Sequence, residues 1–143
     1  MIHMDVNIIK NKSFRFSIDV VQTCQYLVKE KKEFVLSRQF LRSGTSIGAM
    51  VRESIYAEST SDFIHKLSIA LKEANETEYW ILLMKETHYI GNDQIRSLSN
   101  DIIEIKKILT AIILSSKKKL RKSENMETPD DPAEAQIPVI NLP

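Results

Sequence analysis

Glycine and proline are scarce in this chain, and their scarcity restricts the fold. There are three Gly and four Pro among 143 residues, and no Pro occurs in residues 1–128. Because these residues break or bend helices, a long stretch nearly free of them predicts an all-α fold. The length suits one domain with a single substantial core.

Cysteine and long apolar runs are also scarce. The one cysteine, Cys24, excludes an intramolecular disulfide and favours a reducing compartment. No apolar run approaches the roughly 18–20 residues that span a membrane, and no secretory signal is apparent at the N-terminus. We therefore expect a cytoplasmic protein that makes no membrane contact.

The motifs of common enzyme classes are missing as well. The sequence has no Gly-rich phosphate loop, no G-x-S-x-G and no Cys/His zinc spacing. A di-metal carboxylate bundle needs E-x-x-H pairs, and the nearest match is Asp62-x-x-His65. Cys24 falls in an apolar stripe, where a buried and inert thiol is expected. We expect no catalysis, metal, cofactor or small-molecule substrate.

What the sequence does contain is four stretches with the apolar periodicity of a helix. They predict helices over about 13–31, 34–57, 61–89 and 93–122, after an irregular lead-in over residues 1–12. A polar turn over residues 58–61 offers N-caps for the third helix, and Gly91 is expected to end it. Residues 13–123 then form a four-helix bundle domain. The acidic, proline-bearing tail over residues 124–143 is expected to be disordered or extended.

Three of these helices carry apolar stripes that we assign to the core. In the first helix the stripe is Phe14, Ile18, Val21, Cys24 and Val28. In the third it is Phe63, Leu67, Ala70, Ala74, Thr77, Ile81 and Met84, and in the fourth Ile95, Leu98, Ile102, Ile105, Leu109 and Ile112. A second stripe on the fourth helix, Ile103, Ile108 and Ile113, predicts either a subunit interface or a wide buried face.

The second helix carries glycines rather than a dense apolar stripe. Gly44 and Gly48 stand four apart on one face, where each costs roughly 1 kcal/mol relative to Ala. We expect a neighbouring backbone to come close there. Six charged residues of the second and third helices either form buried pairs that fix the helix register or lie on a solvated face; they are Arg42, Arg52, Glu53, Glu73, Glu76 and Glu78.

Charge is divided unevenly along the chain. All 20 Lys and Arg lie in residues 1–122, whereas five of the 19 acidic residues lie in the tail, so the body is about +6 and the tail about −5. The densest basic segment, called the basic run below, is Lys117, Lys118, Lys119, Arg121 and Lys122. Its charges spread around a helix, which suits phosphate attraction rather than base reading. The alternative is a solvated helix end favoured by the macrodipole.

Two further features bear on that basic surface. Arg15, Arg38 and Arg42 extend it only if the fold places them on the same face. The tail closes on the apolar peptide of residues 137–143, which either docks in a groove of its own chain or a neighbour or is an unstructured end. If the tail folds back, its acidic residues compete with phosphate for the basic run.

A larger set of residues resembles a known family. It comprises Arg42-Ser43-Gly44-Thr45-Ser46-Ile47-Gly48-Ala49, Glu53, Asp62-Phe63-Ile64, Lys66-Leu67-Ser68-Ile69-Ala70, Glu73-Ala74, Glu76-Thr77 and Tyr79-Trp80. This pattern, within a match over about residues 13–115, looks like the bacterial four-helix bundle family, also called the 23S ribosomal RNA intervening-sequence protein family. That family is related to the accessory variability determinant protein of diversity-generating retroelements.

The resemblance implies an antiparallel up-down four-helix bundle that assembles as a ring-like homopentamer. The retroelement relatives are strongly basic, bind nucleic acid and associate with a reverse transcriptase, whereas intervening-sequence members are encoded within inserts in ribosomal RNA genes. We therefore expect a non-enzymatic ring-like scaffold that contacts structured RNA or an RNA-associated protein. The alternative is a protein–protein interaction module without nucleic-acid binding. Two features depart from the family pattern: Met50 stands where Asn is common, and the net charge is only +1.

Overall fold

Four α-helices account for almost all of residues 2–127, the part of the chain that the computed structural model describes. They are α1 (Ile2–Lys31), α2 (Leu36–Ile55), α3 (Thr60–Glu86) and α4 (Asn92–Glu127). Each helix packs against the next, and α4 closes the bundle by packing against α1. Short connections make these neighbours antiparallel. The predicted all-α, antiparallel up-down four-helix bundle is confirmed.

Three of the predicted helix boundaries are clearly wrong. α4 continues to Glu127 instead of ending at residue 122, so the first four residues of the predicted tail are helical, and the rest of that tail lies outside the described residues. The lead-in over residues 1–12 is helical, because α1 begins at Ile2 and Ile9 continues its buried face toward the N-terminus. α3 ends at Glu86 rather than at Gly91, because His88 takes a φ of 58° and reverses the chain. The Tyr89 N–H then donates to the Met84 carbonyl at 3.1 Å, which satisfies a carbonyl of the last turn.

The core is filled largely by the stripes predicted for α3 and α4. Every predicted member is buried except Phe63, which lies half-buried at one end of the bundle. The second stripe of α4 is divided: Ile113 is buried, Ile108 packs partly against the core, and Ile103 is exposed. A wide buried face therefore accounts for two of its three residues.

α1 packs against the core with a different face from the one predicted. Its buried residues are Ile9, Ser13, Phe16, Val20, Thr23, Cys24 and Leu27. Of the predicted core stripe only Cys24 is buried, while Phe14, Ile18, Val21 and Val28 are 53%, 42%, 38% and 40% exposed. The prediction was wrong because α1 carries apolar residues on two faces, which share Cys24, and periodicity alone does not say which one packs.

The glycines of α2 select the face of α1 that packs. A Cβ built at Gly44 would lie 2.8 and 2.9 Å from the two methyl carbons of Val20, and one at Gly48 would lie 3.4 Å from the Ser13 carbonyl oxygen. The predicted close approach of a neighbouring backbone is confirmed at Gly48, whereas Gly44 is met by the Val20 side chain. Ser43 is fully buried beside them.

Candidate functional site

The basic run occupies the last turns of α4 and is exposed throughout. Lys117, Lys118, Lys119, Arg121 and Lys122 all reach solvent. None of them takes part in a salt bridge within residues 2–127. Their charges are therefore available to a partner, as far as the described chain is concerned.

This end of α4 projects past the start of α1. The Gln94 amide donates to Thr23 Oγ1 at 2.7 Å, and the Lys12 ammonium lies 2.7 Å from Glu104. Both helices rise by the same distance per residue and run in opposite directions. These two contacts therefore place Ile2 at the level of roughly residue 114 of α4. The turns that carry the basic run consequently extend beyond α1, and Ile2 at its start is the α1 residue that borders them.

Because α1 starts below the last turns of α4, a groove of about 360 Å³ is open at this end of the bundle. Its apolar lining includes Ile2, Ile55, Phe63 and Leu120, and Lys119 of the basic run also borders it. We call it the end groove. Phe63, a member of the family-like motif, is half-buried because it lines this groove.

The remaining arginines do not extend the basic run. Arg42 donates to Glu73 at 3.3 Å and also to Glu76, so its charge is matched by α3. Arg38 lies in the first turn of α2, at the opposite end of the bundle. Arg15 borders a shallow pocket that also contains the carboxylates of Asp19 and Asp101.

Several charged motif residues fix the register of α2 against α3. The Arg42 side chain is half-exposed in its pairs with Glu73 and Glu76, and Lys66 lies 3.4 Å from Glu53 further along the same helix pair. These pairs lie at a partly exposed boundary between helices, so the buried-pair alternative is wrong. They align α2 with α3 and bind nothing else within the described residues.

Asp62 belongs to a helix cap. The Ser59 hydroxyl accepts a hydrogen bond from the Asp62 N–H at 3.0 Å, while the Asp62 carboxylate accepts one from the Glu58 N–H at 3.2 Å. This reciprocal arrangement satisfies free donors before and within the first turn of α3. Across residues 2–127, no three His, Cys, Asp or Glu side chains gather as a metal-binding group.

Cys24 is buried and chemically quiet, as predicted. Its thiol donates to the Ser37 carbonyl at 3.2 Å. Burial, together with the nearby Glu33 charge, raises the pKa of the thiol to about 12. Because the thiolate is the nucleophile, this site disfavours covalent catalysis.

Glu33 caps the start of α2, a role that was not predicted from the sequence. Its carboxylate accepts hydrogen bonds from the N–H groups of Val35, Leu36 and Ser37 at 2.9, 2.9 and 2.7 Å. Burial opposes ionisation, but the three backbone donors outweigh it and hold the pKa of Glu33 below its usual value. In the sequence, Glu33 is merely the end of a charged corner, and only the folded turn brings the donors around it.

Trp80 closes the family-like motif at the α2-facing side of α3. Its ring is half-buried and meets the Tyr79 ring edge-on, with centroids 5.0 Å apart. The indole N–H is buried and finds no acceptor within residues 2–127. Its role within the described chain is packing.

The outer face of α1 is an apolar surface that the core does not use. Phe14, Ile18, Val21 and Val28, called the α1 stripe below, follow the four-and-three spacing of a packing seam. The Arg52 guanidinium lies 5.5 Å from the centre of the Phe14 ring, which continues the surface onto α2. This stripe is visible in the sequence, but it was predicted to lie in the core.

A second apolar surface lies across the bundle on α3 and α4. Leu82, Ile103 and Leu114 are 49%, 45% and 56% exposed. Glu78 and Lys106 pair at 3.3 Å, and Leu82 and Ile103 stand about one turn from that pair in the same direction along the bundle. We call these three residues the α3–α4 patch.

The fold and its surfaces thus define an antiparallel four-helix bundle with apolar and basic surfaces on its outside. The family model described as 23S rRNA-intervening sequence protein matches residues 5–111, and the chain belongs to this family. The family resemblance seen in the sequence is confirmed.

A solved structure is similar over most of its length. It is a crystal structure from Bacteroides thetaiotaomicron, described as a protein with unknown function from the S23 ribosomal protein family. The two chains share 54% sequence identity with a TM-score of 0.75, and the match covers 76% of this chain and 97% of the other. A comparison with curated proteins gave no match. No helix within residues 2–127 is long and apolar enough to cross a bilayer.

Proposed function

We propose that this protein is a non-enzymatic, ring-forming scaffold that presents the basic run of several copies to structured RNA. The observation that carries the proposal is the α1 stripe, an apolar seam on the outside of a bundle whose core is already full. Contiguous exposed apolar surface on a helical protein is typical of a docking face. The free charges at the end of α4 supply the contact with RNA.

The two apolar surfaces support a head-to-tail arrangement of subunits. The α1 stripe and the α3–α4 patch lie on different helices, so one copy's stripe can pack on the next copy's patch. Such a contact leaves one surface open on each end copy, the stripe at one end and the patch at the other, unless the chain of subunits closes. A ring covers every stripe and patch, and the family resemblance favours five subunits.

The ring explains how a modest basic run suffices. Five cations on one helix end, without base-reading geometry, attract phosphate weakly and without sequence preference. Placing several copies on one face of a ring makes later contacts intramolecular and raises the overall affinity without a tight single site. The same geometry lets the ring organise a folded RNA.

Salt dependence tests the RNA contact directly. A labelled RNA hairpin, titrated with full-length protein, should lose affinity by about tenfold for every two phosphate contacts between about 50 and about 200 mM salt. Lys118→Gln/Lys122→Gln should weaken binding and flatten this dependence. The matched control Lys29→Gln/Lys31→Gln removes equal charge at the opposite end and should leave both unchanged.

Binding that ignores salt, or equal effects of the two double variants, would refute the RNA contact through α4. A protein partner is the alternative that the apolar surfaces favour. Its association with the ring would persist at moderate salt, because burial of apolar surface responds little to screening.

A further inference from the structure

The end groove has a lining of apolar and hydroxyl side chains and lies beside a cluster of unpaired cations. Ile55, Phe63 and Leu120 line it, and Lys119 stands at its border. Its volume of about 360 Å³ is within the range of sites that hold small ligands or a few side chains. Nothing in residues 2–127 covers it, because α1 begins at the level where the groove opens.

The sequence that follows α4 has the composition to fill this site. Residues 137–142 contain four large apolar side chains, Ile137, Val139, Ile140 and Leu142, in a peptide short enough to bind a groove by its side chains. Three acidic residues, Asp130, Asp131 and Glu134, precede them. The apolar residues of the groove can bind the apolar residues of the peptide, and the neighbouring cations can attract the acidic residues that precede it.

The length of the intervening chain permits the match. The groove at Leu120 lies about 10 Å back along α4 from Glu127, because a helix rises about 1.5 Å per residue. Residues 128–136 can span up to about 30 Å when extended. The chain therefore has enough length to turn around at the end of α4 and return to the groove.

We propose that the end groove binds residues 137–142 of the same chain, and that this docking lays the acidic residues over the basic run. The docking is inferred from the lining of the groove, the length of residues 128–136, and the opposite charges of the tail and the basic run. Its consequence, competition between the tail and RNA phosphate, rests on the proposed function. Exposed charges attract one another over about 8–10 Å at physiological salt, so the acidic residues need only lie near the cations.

Cross-linking in the full chain tests the docking without RNA. Thr60 lines the groove, whereas Thr110 lies on the outer side of α4. In dilute protein under mild oxidation, Thr60→Cys/Val139→Cys should form an intrachain disulfide at least tenfold faster than Thr110→Cys/Val139→Cys. The buried Cys24 thiol, with its pKa near 12, does not compete.

A second pair, Ile55→Cys/Val139→Cys, repeats the test from another wall of the groove. Adding Ile140→Asn, which keeps the net charge, should return either groove pair to the rate of the control. Equal rates for groove and control pairs would overturn the proposal. Disulfides that form only between chains would overturn it too, and would assign the groove to a neighbouring copy.

RNA binding then tests the consequence separately. Full-length Ile140→Asn should bind the RNA hairpin several-fold more tightly than the parent at low salt, and Lys118→Gln/Lys122→Gln should abolish this gain. Rapid groove cross-links without RNA binding by any variant would uphold the docking and refute the proposed function. RNA binding without groove cross-links would do the reverse.

Discussion

Gly44 should be the least replaceable residue of α2, because its missing side chain sets the distance to α1. Gly44→Ala adds a carbon 2.8 and 2.9 Å from the methyl carbons of Val20, which is fully buried. Val20 is stiff about χ1 and has no free space to rotate into. Such overpacking costs about 1–3 kcal/mol, against a gain of about 1 kcal/mol in helix propensity. We expect a net loss of about 1 kcal/mol.

Gly48→Ala is the matched control in the same helix. Its new carbon would lie 3.2 Å from Ser17 Oγ and 3.4 Å from the Ser13 carbonyl oxygen, which accepts a hydrogen bond from that hydroxyl. A shift of a few tenths of an ångström accommodates it, so part of the propensity gain of about 1 kcal/mol should survive. Urea unfolding followed by circular dichroism, at one protein concentration, measures both. Val20→Ala combined with Gly44→Ala should recover stability relative to the sum of the single changes, with a coupling of about 1–3 kcal/mol. Additive single changes, or equal gains at both glycines, would refute the close-packing explanation.

Three further predictions follow from α1 and its connection to α2. Phe16→Ala should cost about 3–5 kcal/mol of unfolding free energy. Phe14→Ala, compared on the Ile18→Asp background that removes the proposed contact between subunits, should cost under about 1 kcal/mol, because within one subunit it loses only the contact with a neighbouring cation; comparable losses would show that the faces of α1 are misassigned. Glu33→Gln should cost about 1–3 kcal/mol at neutral pH. Since the folded-state pKa of Glu33 is lowered, its contribution is complete above the unfolded value near 4.5 and is lost as the pH falls through the folded value, so wild type and variant should converge in acid; a difference independent of pH would contradict the cap. Cys24 should react with a thiol reagent only as fast as the bundle opens, and rapid labelling of native protein would contradict its burial.

The stripes of α3 and α4 were predictable because each helix has one clearly apolar face. The steps from Leu67 to Met84 and from Ile95 to Ile112 alternate between three and four, and no rival stripe of equal strength runs along α3. α1 has two candidate core stripes, and the one that is buried includes the polar residues Ser13 and Thr23. Those hydroxyls bond to backbone carbonyls within their own helix, which removes the cost of burying them.

The surfaces were less predictable than the core, because they depend on the register between helices. The basic run is visible in the sequence, but the end groove beside it exists only because α1 starts level with roughly residue 114 of α4. Likewise, Arg42 looks like part of a basic surface until α3 brings Glu73 and Glu76 against it. Pairings between distant residues of this kind leave no local pattern in a single sequence.

The mass of the protein in solution tests the central claim most directly, since the proposed scaffold depends on copies packing through the α1 stripe. Native mass spectrometry of the full-length protein should give a closed homo-oligomer, with five copies expected. Ile18→Asp should dissociate it, while Ala49→Asp, at an exposed position on the outer side of α2, should not. A monomer at micromolar concentration, or an oligomer that survives Ile18→Asp unchanged, would contradict the account.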